Sequence, residues 1–124
     1  NILKKMMSRD GIMILTVPAY KWLWSKHDEL NHHFRRYTKK ELNKLFDDKY
    51  LILKSSYFNF FLFPIALLSR LIDKIRKRSS QNFLNLPNLF INKILFKIFK
   101  YESKLLRIFN LPFGLSILIV VKNN

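Results

Sequence analysis

The sequence predicts an α/β fold, and three observations support this class. Residues 12–17 form a continuous apolar run without the alternation of a half-exposed strand. A helix with capping signals follows at residues 38–48, after a polar segment. Two further strand-like runs lie at residues 51–58 and 115–121. Alternation of strand, helix and strand is typical of sheets covered by helices.

Length and composition limit the choices. The 124 residues allow one small domain or part of a larger one, and 49% of them are hydrophobic. The chain begins at Asn1, and residues 2–7 are typical of the end of a helix, so we expect a fragment. The absence of cysteine excludes disulfides and thiolate metal sites. The longest apolar runs are much shorter than the roughly 18 residues of a membrane span.

The formal charge of +15 has two interpretations. One is an anionic partner, either nucleic acid or a lipid surface. The other, which is favoured for much of the charge, is a general enrichment in Lys, Asn, Ile and Phe, because the lysines are spread along the whole chain.

The first predicted strand leads into the segment with the most chemistry. Residues 12–17 are predicted to be covered on both faces, as in a parallel sheet, and Pro18 ends the strand because proline cannot donate to a ladder. Residues 19–37 are predicted to be a polar-aromatic loop with two tryptophans and three histidines. Loops at the carboxyl end of a buried parallel strand often carry function.

The next elements follow from caps and periodicity. Thr38 and Glu41 have the spacing of a capping box, and Leu42, Leu45 and Phe46 give the helix over residues 38–48 one apolar face. Residues 51–58 are predicted to be a strand.

Two longer helices are predicted before the last strand. The first covers residues 61–78, with Pro64 in its first turn, and a linker follows at residues 79–82. Its aliphatic residues are predicted to face the core, namely Ile65, Leu68, Leu71, Ile72 and Ile75. The second covers residues 87–109 and carries a basic stripe at spacings of three and four, namely Lys93, Lys97, Lys100, Lys104 and Arg107. Residues 111–114 form a turn before the final strand.

The order of several short motifs resembles the C-terminal half of class I S-adenosylmethionine-dependent methyltransferases, most closely the bacterial type 11/12 branch. The matching pieces are Asp10-Gly-Ile-Met-Ile-Leu-Thr-Val-Pro18, Trp22-Leu-Trp24-Ser25, His27-Asp28 with His33, Arg35-Arg36-Tyr37-Thr38, Ser56-Tyr57-Phe58-Asn59, Leu62-Phe63-Pro64 and Leu111-Pro-Phe-Gly-Leu-Ser116. The resemblance covers nearly the whole chain and is weakest in the two long helices.

The resemblance implies a partial Rossmann-like sheet. Residues 12–17, 51–58 and 115–122 would be the fifth, sixth and seventh strands, with the last one antiparallel between the other two. Residues 1–60 would belong to the methyltransferase core, residues 61–111 would be a helical excursion, and residues 112–124 would return to the core. One departure is Lys49, where such proteins usually have a glycine that ends the preceding helix.

The resemblance also implies S-adenosylmethionine as cofactor, bound mainly by an N-terminal half that this sequence does not contain. The chain has only Gly11 and Gly114, so it offers no glycine-rich cofactor loop. We therefore expect this part alone to be inactive.

By the same resemblance, residues 19–37 would lie over the methyl group. His27, Asp28 and His33 are the candidate catalytic residues, which would orient or deprotonate the acceptor. The candidate substrate-binding residues are Trp24, Arg35, Arg36, Tyr37 and Asn59. The arginines offer bidentate contacts to a carboxylate or phosphate, and Trp22, Trp24 and Tyr37 would line the pocket.

Structural roles are open for the same residues. In the structural interpretation, Asp28 pairs with Arg35 or Arg36 and holds the loop in place, and His33 bonds to backbone. For Asn59, capping of the following helix is the favoured role. A metal site formed by His27, Asp28, His32 and His33 is disfavoured, because adjacent histidines on an irregular loop rarely converge.

The favoured function is therefore part of a methyltransferase for an unknown small-molecule or lipid-linked acceptor, in the cytoplasm and with membrane association left open. The alternative is a basic amphipathic module without catalysis that binds a membrane surface or nucleic acid. On a membrane, Phe90, Phe96, Phe99 and Phe109 would enter the headgroup region. The slightly favoured interpretation of the basic stripe is the solvated outer face of a helix packed on the domain. Nucleic acid is the weaker partner, because no recognised binding module is present.

Overall fold

The computed structural model describes residues 5, 7–46, 50–76 and 88–123. It is a mixed α/β structure with one three-stranded sheet. The strands are β1 (Ile12–Pro18), β2 (Tyr50–Phe58) and β3 (Ser116–Asn123), and the helices are α1 (Lys26–Leu30), α2 (Lys39–Phe46), α3 (Phe63–Arg76) and α4 (Leu89–Ile108). A short 3-10 turn, Lys21–Leu23, follows β1.

The strand order is β1-β3-β2, and β3 runs antiparallel to both neighbours. The register runs from Ile12 opposite Lys122 to Pro18 opposite Ser116, and β2 has an irregularity between Ile52 and Lys54. The strands β1 and β2 therefore point in the same direction. The prediction that the last strand is antiparallel and lies between the other two is confirmed.

One face of the sheet carries the core. Ile117, Ile119 and Val121 of β3 are fully buried, and they cluster with Leu42 and Phe46 of α2. These residues alternate along β3, as a strand requires when one face is covered. The position of α2 and its apolar face are as predicted, although Leu45 is 57% exposed.

The predicted capping box at the start of α2 is also present. The Thr38 backbone N–H donates to Glu41 Oε2 at 2.8 Å, and the Glu41 N–H donates to Thr38 Oγ1 at 3.3 Å. These reciprocal bonds satisfy two amides that the first turn of a helix leaves without partners.

The prediction that β1 is covered on both faces is wrong. Met13, Leu15 and Val17 pack on the core, but Ile12 is 61% exposed and Ile14 is 66% exposed. Successive side chains point to opposite faces of a sheet, and in the described residues α2 covers only one face. The continuous apolar run therefore leaves Ile12 and Ile14 exposed on the uncovered face of the sheet.

The predicted orientation of α3 is also wrong. All five residues that were expected to face the core are exposed by between 41% and 81%: Ile65, Leu68, Leu71, Ile72 and Ile75. Phe63, Ala66 and Leu67, on other sides of the helix, are half-buried instead. Periodicity correctly predicts a single apolar stripe, but this stripe faces solvent.

The helix α4 begins after Asn88, whose side chain accepts a hydrogen bond from the Phe90 N–H at 3.3 Å. Its basic stripe is exposed throughout, as its spacing predicts. On the opposite side, Glu102 is only 2% exposed, and its Oε1 accepts a bond from the Phe60 N–H at 3.1 Å. This bond attaches α4 to the chain just beyond β2.

The turn before β3 is held closely against β2. Ser56 Oγ accepts a hydrogen bond from the Leu111 N–H at 2.8 Å. Gly114 is needed at the crossing, because a Cβ atom there would lie 2.3 Å from the Phe58 carbonyl oxygen. The carboxyl end of β2 and the start of β3 are thereby fixed together.

Some expectations lie wholly or mostly outside the described residues: the helix end over residues 2–7, of which only Lys5 and Met7 are described, the departure at Lys49 and the linker at residues 79–82. Among the described residues, none of the helices has both the length and the apolar character that crossing a membrane requires.

Candidate functional site

The candidate site lies at the edge of the sheet where β1 and β2 both end. Two backbone bonds close residues 19–37 onto this edge: the Tyr37 N–H donates to the Pro18 carbonyl at 3.0 Å, and the Tyr20 N–H donates to the Tyr37 carbonyl at 2.9 Å. Both ends of the segment are thus fixed beside the last residue of β1.

Asp28 is the centre of this segment, and its side chain is fully buried. It lies in α1, where the Ser25 N–H donates to Asp28 Oδ2 at 2.9 Å and Ser25 Oγ donates to the same oxygen at 3.2 Å. Ser25 and Asp28 thus have the spacing of Thr38 and Glu41, and the Asp28 N–H donates to the Ser25 carbonyl at 2.9 Å. This local signal explains why a helix interrupts the predicted loop at Lys26–Leu30.

Arg36 supplies the opposite charge. Its Nε donates to Asp28 Oδ1 at 2.8 Å, and its Nη2 donates to Asp28 Oδ2 at 2.9 Å. The third contact runs from Arg36 Nη1 to the Ala19 carbonyl at 2.8 Å. The guanidinium group therefore joins α1 to the residue that follows β1 through a bidentate ion pair, the strongest pairing geometry available to these groups.

His33 lies against the same carboxylate. Its Nδ1 is 3.2 Å from Asp28 Oδ1, and its backbone N–H donates to the Asp28 carbonyl at 2.8 Å. The His33 side chain is 39% exposed, whereas those of Asp28 and Arg36 are almost completely buried. Because Nδ1 is engaged, Nε2 is the ring nitrogen left to meet another molecule.

These contacts set the ionisation of Asp28. Burial alone would raise the pKa of its carboxyl group, but the hydrogen bonds from Arg36, His33 and the Ser25 backbone outweigh burial and lower it to about 2. A carboxylate with so low a pKa and so many donors is a poor proton acceptor. The contacts favour the structural interpretation of Asp28 and Arg36, in which the pair holds the segment in place.

Glu41 is the centre of a second cluster of charged side chains. Lys21 Nζ donates to Glu41 Oε1 at 2.7 Å, and Arg35 Nη2 lies 3.6 Å from the same oxygen. The bond from Lys21, together with those from Thr38, lowers the pKa of Glu41 to about 2. The Arg35 guanidinium also lies over the Tyr37 ring, 4.9 Å from its centroid. Arg35 remains about half exposed, so this arginine is accessible to an anionic ligand.

Aromatic rings form a wall at the same edge. Tyr20 stacks on Tyr57 with centroids 5.2 Å apart, and it also contacts Trp22 at 5.6 Å and Phe63 at 5.8 Å. Phe63 continues the wall to Phe113, with centroids 5.3 Å apart. The wall joins the ends of β1 and β2 to the start of α3.

Three residues of this region have a positive φ, which is unusual for residues other than glycine. Tyr20 has φ 58° and ψ 112°, His32 has φ 53°, and Asn59 has φ 60°. A positive φ is costly for a bulky residue such as Tyr20, and surrounding contacts must hold it. Burial, followed by a hydrogen bond to Tyr57, raises the pKa of Tyr20 to about 12.

The remaining predicted site residues are Trp24, Asn59 and His27. Trp24 follows the 3-10 turn and is 41% exposed, and Asn59 turns the chain away from the end of β2. His27 lies within α1, and its side chain is outside the described part of the structure. Among the described residues, no three His, Cys, Asp or Glu side chains are grouped to hold a metal ion.

Sequence reasoning overlooked Ser25, Tyr20 and Tyr57. The spacing of Ser25 and Asp28 is a readable box signal. The stacking of Tyr20 on Tyr57 is not readable, because it brings together residues 37 positions apart along the chain.

A cavity of about 430 Å³ lies at the other end of the sheet and is not part of this site. It is lined by Arg9, Asp10, Leu51, Lys122 and Asn123.

Comparison of the chain with models of protein families, with curated protein sequences and with solved structures finds no match.

Proposed function

We propose that the chain is the acceptor-side part of an S-adenosylmethionine-dependent methyltransferase with a Rossmann-like sheet. The observation that carries the proposal is the strand order β1-β3-β2 with only β3 reversed, which the resemblance implies for the last three strands of such a sheet. The segment over the shared carboxyl ends of β1 and β2 adds support, because open α/β sheets bind ligands at that edge.

The exposed surface of the sheet fits this proposal. The edge of β1 that faces away from β3 has no strand beside it among the described residues, and Ile12 and Ile14 are exposed on the bare face. An uncovered apolar strand favours pairing with a further strand and a covering layer. The proposal assigns both to the cofactor-binding half of the enzyme.

The two glycines of this chain do not fit a cofactor cradle. Neither has a positive φ, and Gly114 is packed against the backbone of Phe58. S-adenosylmethionine would supply the methyl group, and residues outside this chain would hold it. The contribution of the described residues is limited to the acceptor.

On the acceptor side, His33 is the residue placed to move a proton. Asp28 holds its Nδ1, as a carboxylate orients the imidazole in other proton-transfer sites, so Nε2 can accept a proton from an acceptor oxygen or nitrogen. Asp28 and Arg36 are positioning residues in this proposal. Arg35 and the aromatic wall supply accessible contacts for the acceptor.

The division between the two halves is tested with S-adenosylhomocysteine. We expect the protein encoded by the whole reading frame to bind this ligand in isothermal titration, and residues 1–124 alone to give no binding heat. We also expect the reading frame to encode a strand and a glycine-rich turn about a hundred residues before Gly11, in keeping with the size of one α/β domain. A whole protein that gives no binding heat would contradict the proposal.

The role of His33 is tested in the whole protein with labelled S-adenosylmethionine and a cell extract as the source of acceptors. We expect His33→Gln to reduce methyl transfer by roughly 10²–10⁴-fold and to leave S-adenosylhomocysteine binding unchanged. His32→Gln is the matched control, because His32 is an exposed neighbour. Equal activity of the two variants would remove His33 from the mechanism without affecting the assignment of the fold.

A further inference from the structure

The exposed side of α3 carries an apolar stripe from Ile65 to Ile75. Ile65, Leu68, Leu71, Ile72 and Ile75 fall within one stripe at helical spacing, and each is at least 41% exposed. A contiguous stripe of this kind differs from scattered surface leucines, which require no explanation. The stripe therefore indicates a surface on which something apolar lies.

The exposed side of α4 is basic, and aromatic and aliphatic side chains flank the basic stripe. The five cations of the basic stripe lie opposite buried Glu102 and extend over about 20 Å of helix. Large apolar side chains flank the stripe on the same exposed surface, and their exposed fractions are between 65% and 73%: Phe90, Phe96, Tyr101 and Ile108. Positive charge and exposed rings therefore occur side by side on α4.

Both helices are attached at the edge of the sheet that carries the candidate site. Phe63, at the start of α3, contacts Tyr20 and Phe113, and Glu102 of α4 is bonded to Phe60. A surface bound by these helices would lie close to the ends of β1 and β2.

We propose that α3 and α4 dock the protein on the surface of an anionic phospholipid bilayer. The lysines and Arg107 match the negative headgroups, and the flanking rings and the apolar stripe of α3 enter the boundary between headgroups and acyl chains. Charge complementarity favours this partner, and the apolar flanks favour it over nucleic acid, whose phosphates offer nothing to the isoleucines of α3. The docking does not depend on methyl transfer.

Vesicle flotation tests the proposal with the full chain, because bound protein floats and aggregated protein sediments. We expect at least tenfold more flotation with vesicles of 30% phosphatidylserine and 70% phosphatidylcholine than with phosphatidylcholine alone. Flotation falls severalfold in 0.5 M NaCl, because salt screens the attraction between the stripe and the headgroups. Equal flotation with both lipids, or none with either, would overturn the proposal.

Two charge-matched variants separate the basic stripe from the total charge. The first changes all five cations of the stripe to Gln and is expected to reduce flotation at least tenfold. The second changes five cations elsewhere to Gln and is expected to stay within twofold of the unchanged protein: Lys5, Arg9, Lys40, Lys44 and Lys54. Equal losses in the two variants would mean that net charge alone drives binding and would overturn the assignment to α4.

A fluorescent label reports which surface enters the lipid. The sequence has no cysteine, so Ile72→Cys, Phe96→Cys and Lys44→Cys each provide one labelling position for an environment-sensitive dye. Anionic vesicles are expected to shift the emission to the blue at positions 72 and 96 and leave position 44 unchanged. The proposal is overturned if positions 72 and 96 do not respond, or if a single-stranded RNA oligonucleotide binds the protein and vesicles do not.

Discussion

Two regions of the molecule differ in where they place charged and apolar groups. The first is the sheet with residues 19–37, and the second is the pair of long helices, α3 and α4. In the first region, Asp28 and Arg36 are buried and joined by a bidentate ion pair, and Ile117 and Ile119 are fully buried. In the second region, the basic stripe and most of the large apolar residues are exposed. Glu102 is the buried exception among the described residues of these helices, and its hydrogen bond with Phe60 attaches α4 to the chain just beyond β2.

The two regions differ in how much their own contacts stabilise them. The first region is stabilised by its own contacts, because burial of apolar surface and satisfied buried charge both act within it. Among the described residues, the helices α3 and α4 gain much less from burial, and the proposed lipid surface would cover their exposed apolar groups. We therefore expect substitutions in the first region to change stability and substitutions in the second to change binding.

The largest expected effect comes from Asp28→Ala. The substitution leaves the Arg36 guanidinium buried without its partner, which costs about 3–5 kcal/mol in the free energy of unfolding. Urea denaturation at low micromolar concentration measures this cost. Glu29→Ala, at the exposed neighbouring position, is the control and should stay within about 0.5 kcal/mol of the unchanged protein. A loss below about 1 kcal/mol for Asp28→Ala would show that the ion pair of Asp28 and Arg36 does not stabilise residues 19–37.

A matched pair of isoleucines compares the two regions directly. Ile119→Ala removes a fully buried side chain from β3 and is expected to cost about 2–5 kcal/mol in the free energy of unfolding. Ile65→Ala makes the same chemical change at a residue of α3 that is 62% exposed, and is expected to change this free energy by at most about 0.5 kcal/mol. Similar losses at both positions in urea denaturation would contradict the comparison.

The dependence of stability on pH follows from Asp28. Its pKa of about 2 in the folded protein is below the value of about 4 in an unfolded chain, so the stabilisation is fully present above pH 4 and is lost as the pH falls towards 2. The free energy of unfolding falls by about 2 kcal/mol over this range. Asp28→Asn should remove this part of the pH dependence, and the part due to Glu41 should remain. Parallel pH profiles for the variant and the unchanged protein would contradict the assignment.

The smallest effect is expected at the cap of α2. Thr38→Ala removes the acceptor for the Glu41 N–H and should lower the free energy of unfolding by about 1 kcal/mol. Lys40→Ala, at an exposed position in the first turn, is the control and should have little effect on urea denaturation. No difference between these two variants would mean that the capping box adds nothing to the stability of α2.

Much of this arrangement is predictable from the sequence. Caps and periodicity predict the three strands and the helices α2, α3 and α4 to within a few residues, but not α1, which lies in the predicted loop. The spacing of Lys93, Lys97 and Lys100 correctly predicts one exposed stripe. The position of β3 between β1 and β2 followed from the resemblance and agrees with the structure.

The remaining features depend on the path of the chain in three dimensions. The period of α3 defines an apolar stripe but does not say whether another element covers it. Asp28 has two arginines within eight residues, and only the bonds between Tyr37 and Pro18 and between Arg36 and Ala19 decide which of them it pairs with. The stacking of Tyr20 on Tyr57 also arises only when the ends of β1 and β2 meet.

Backbone amide hydrogen exchange of the full chain, read by mass spectrometry without lipid and with anionic vesicles, tests the central contrast most directly. Without lipid, we expect the slowest exchange in β3 and clear protection at the amides of Tyr20, Asp28 and Tyr37, with much faster exchange in α3 and α4. With anionic vesicles, protection should rise in α3 and α4 and stay unchanged in β3. Protection of α4 equal to that of β3 without lipid, or no response of either helix to vesicles, would contradict the account.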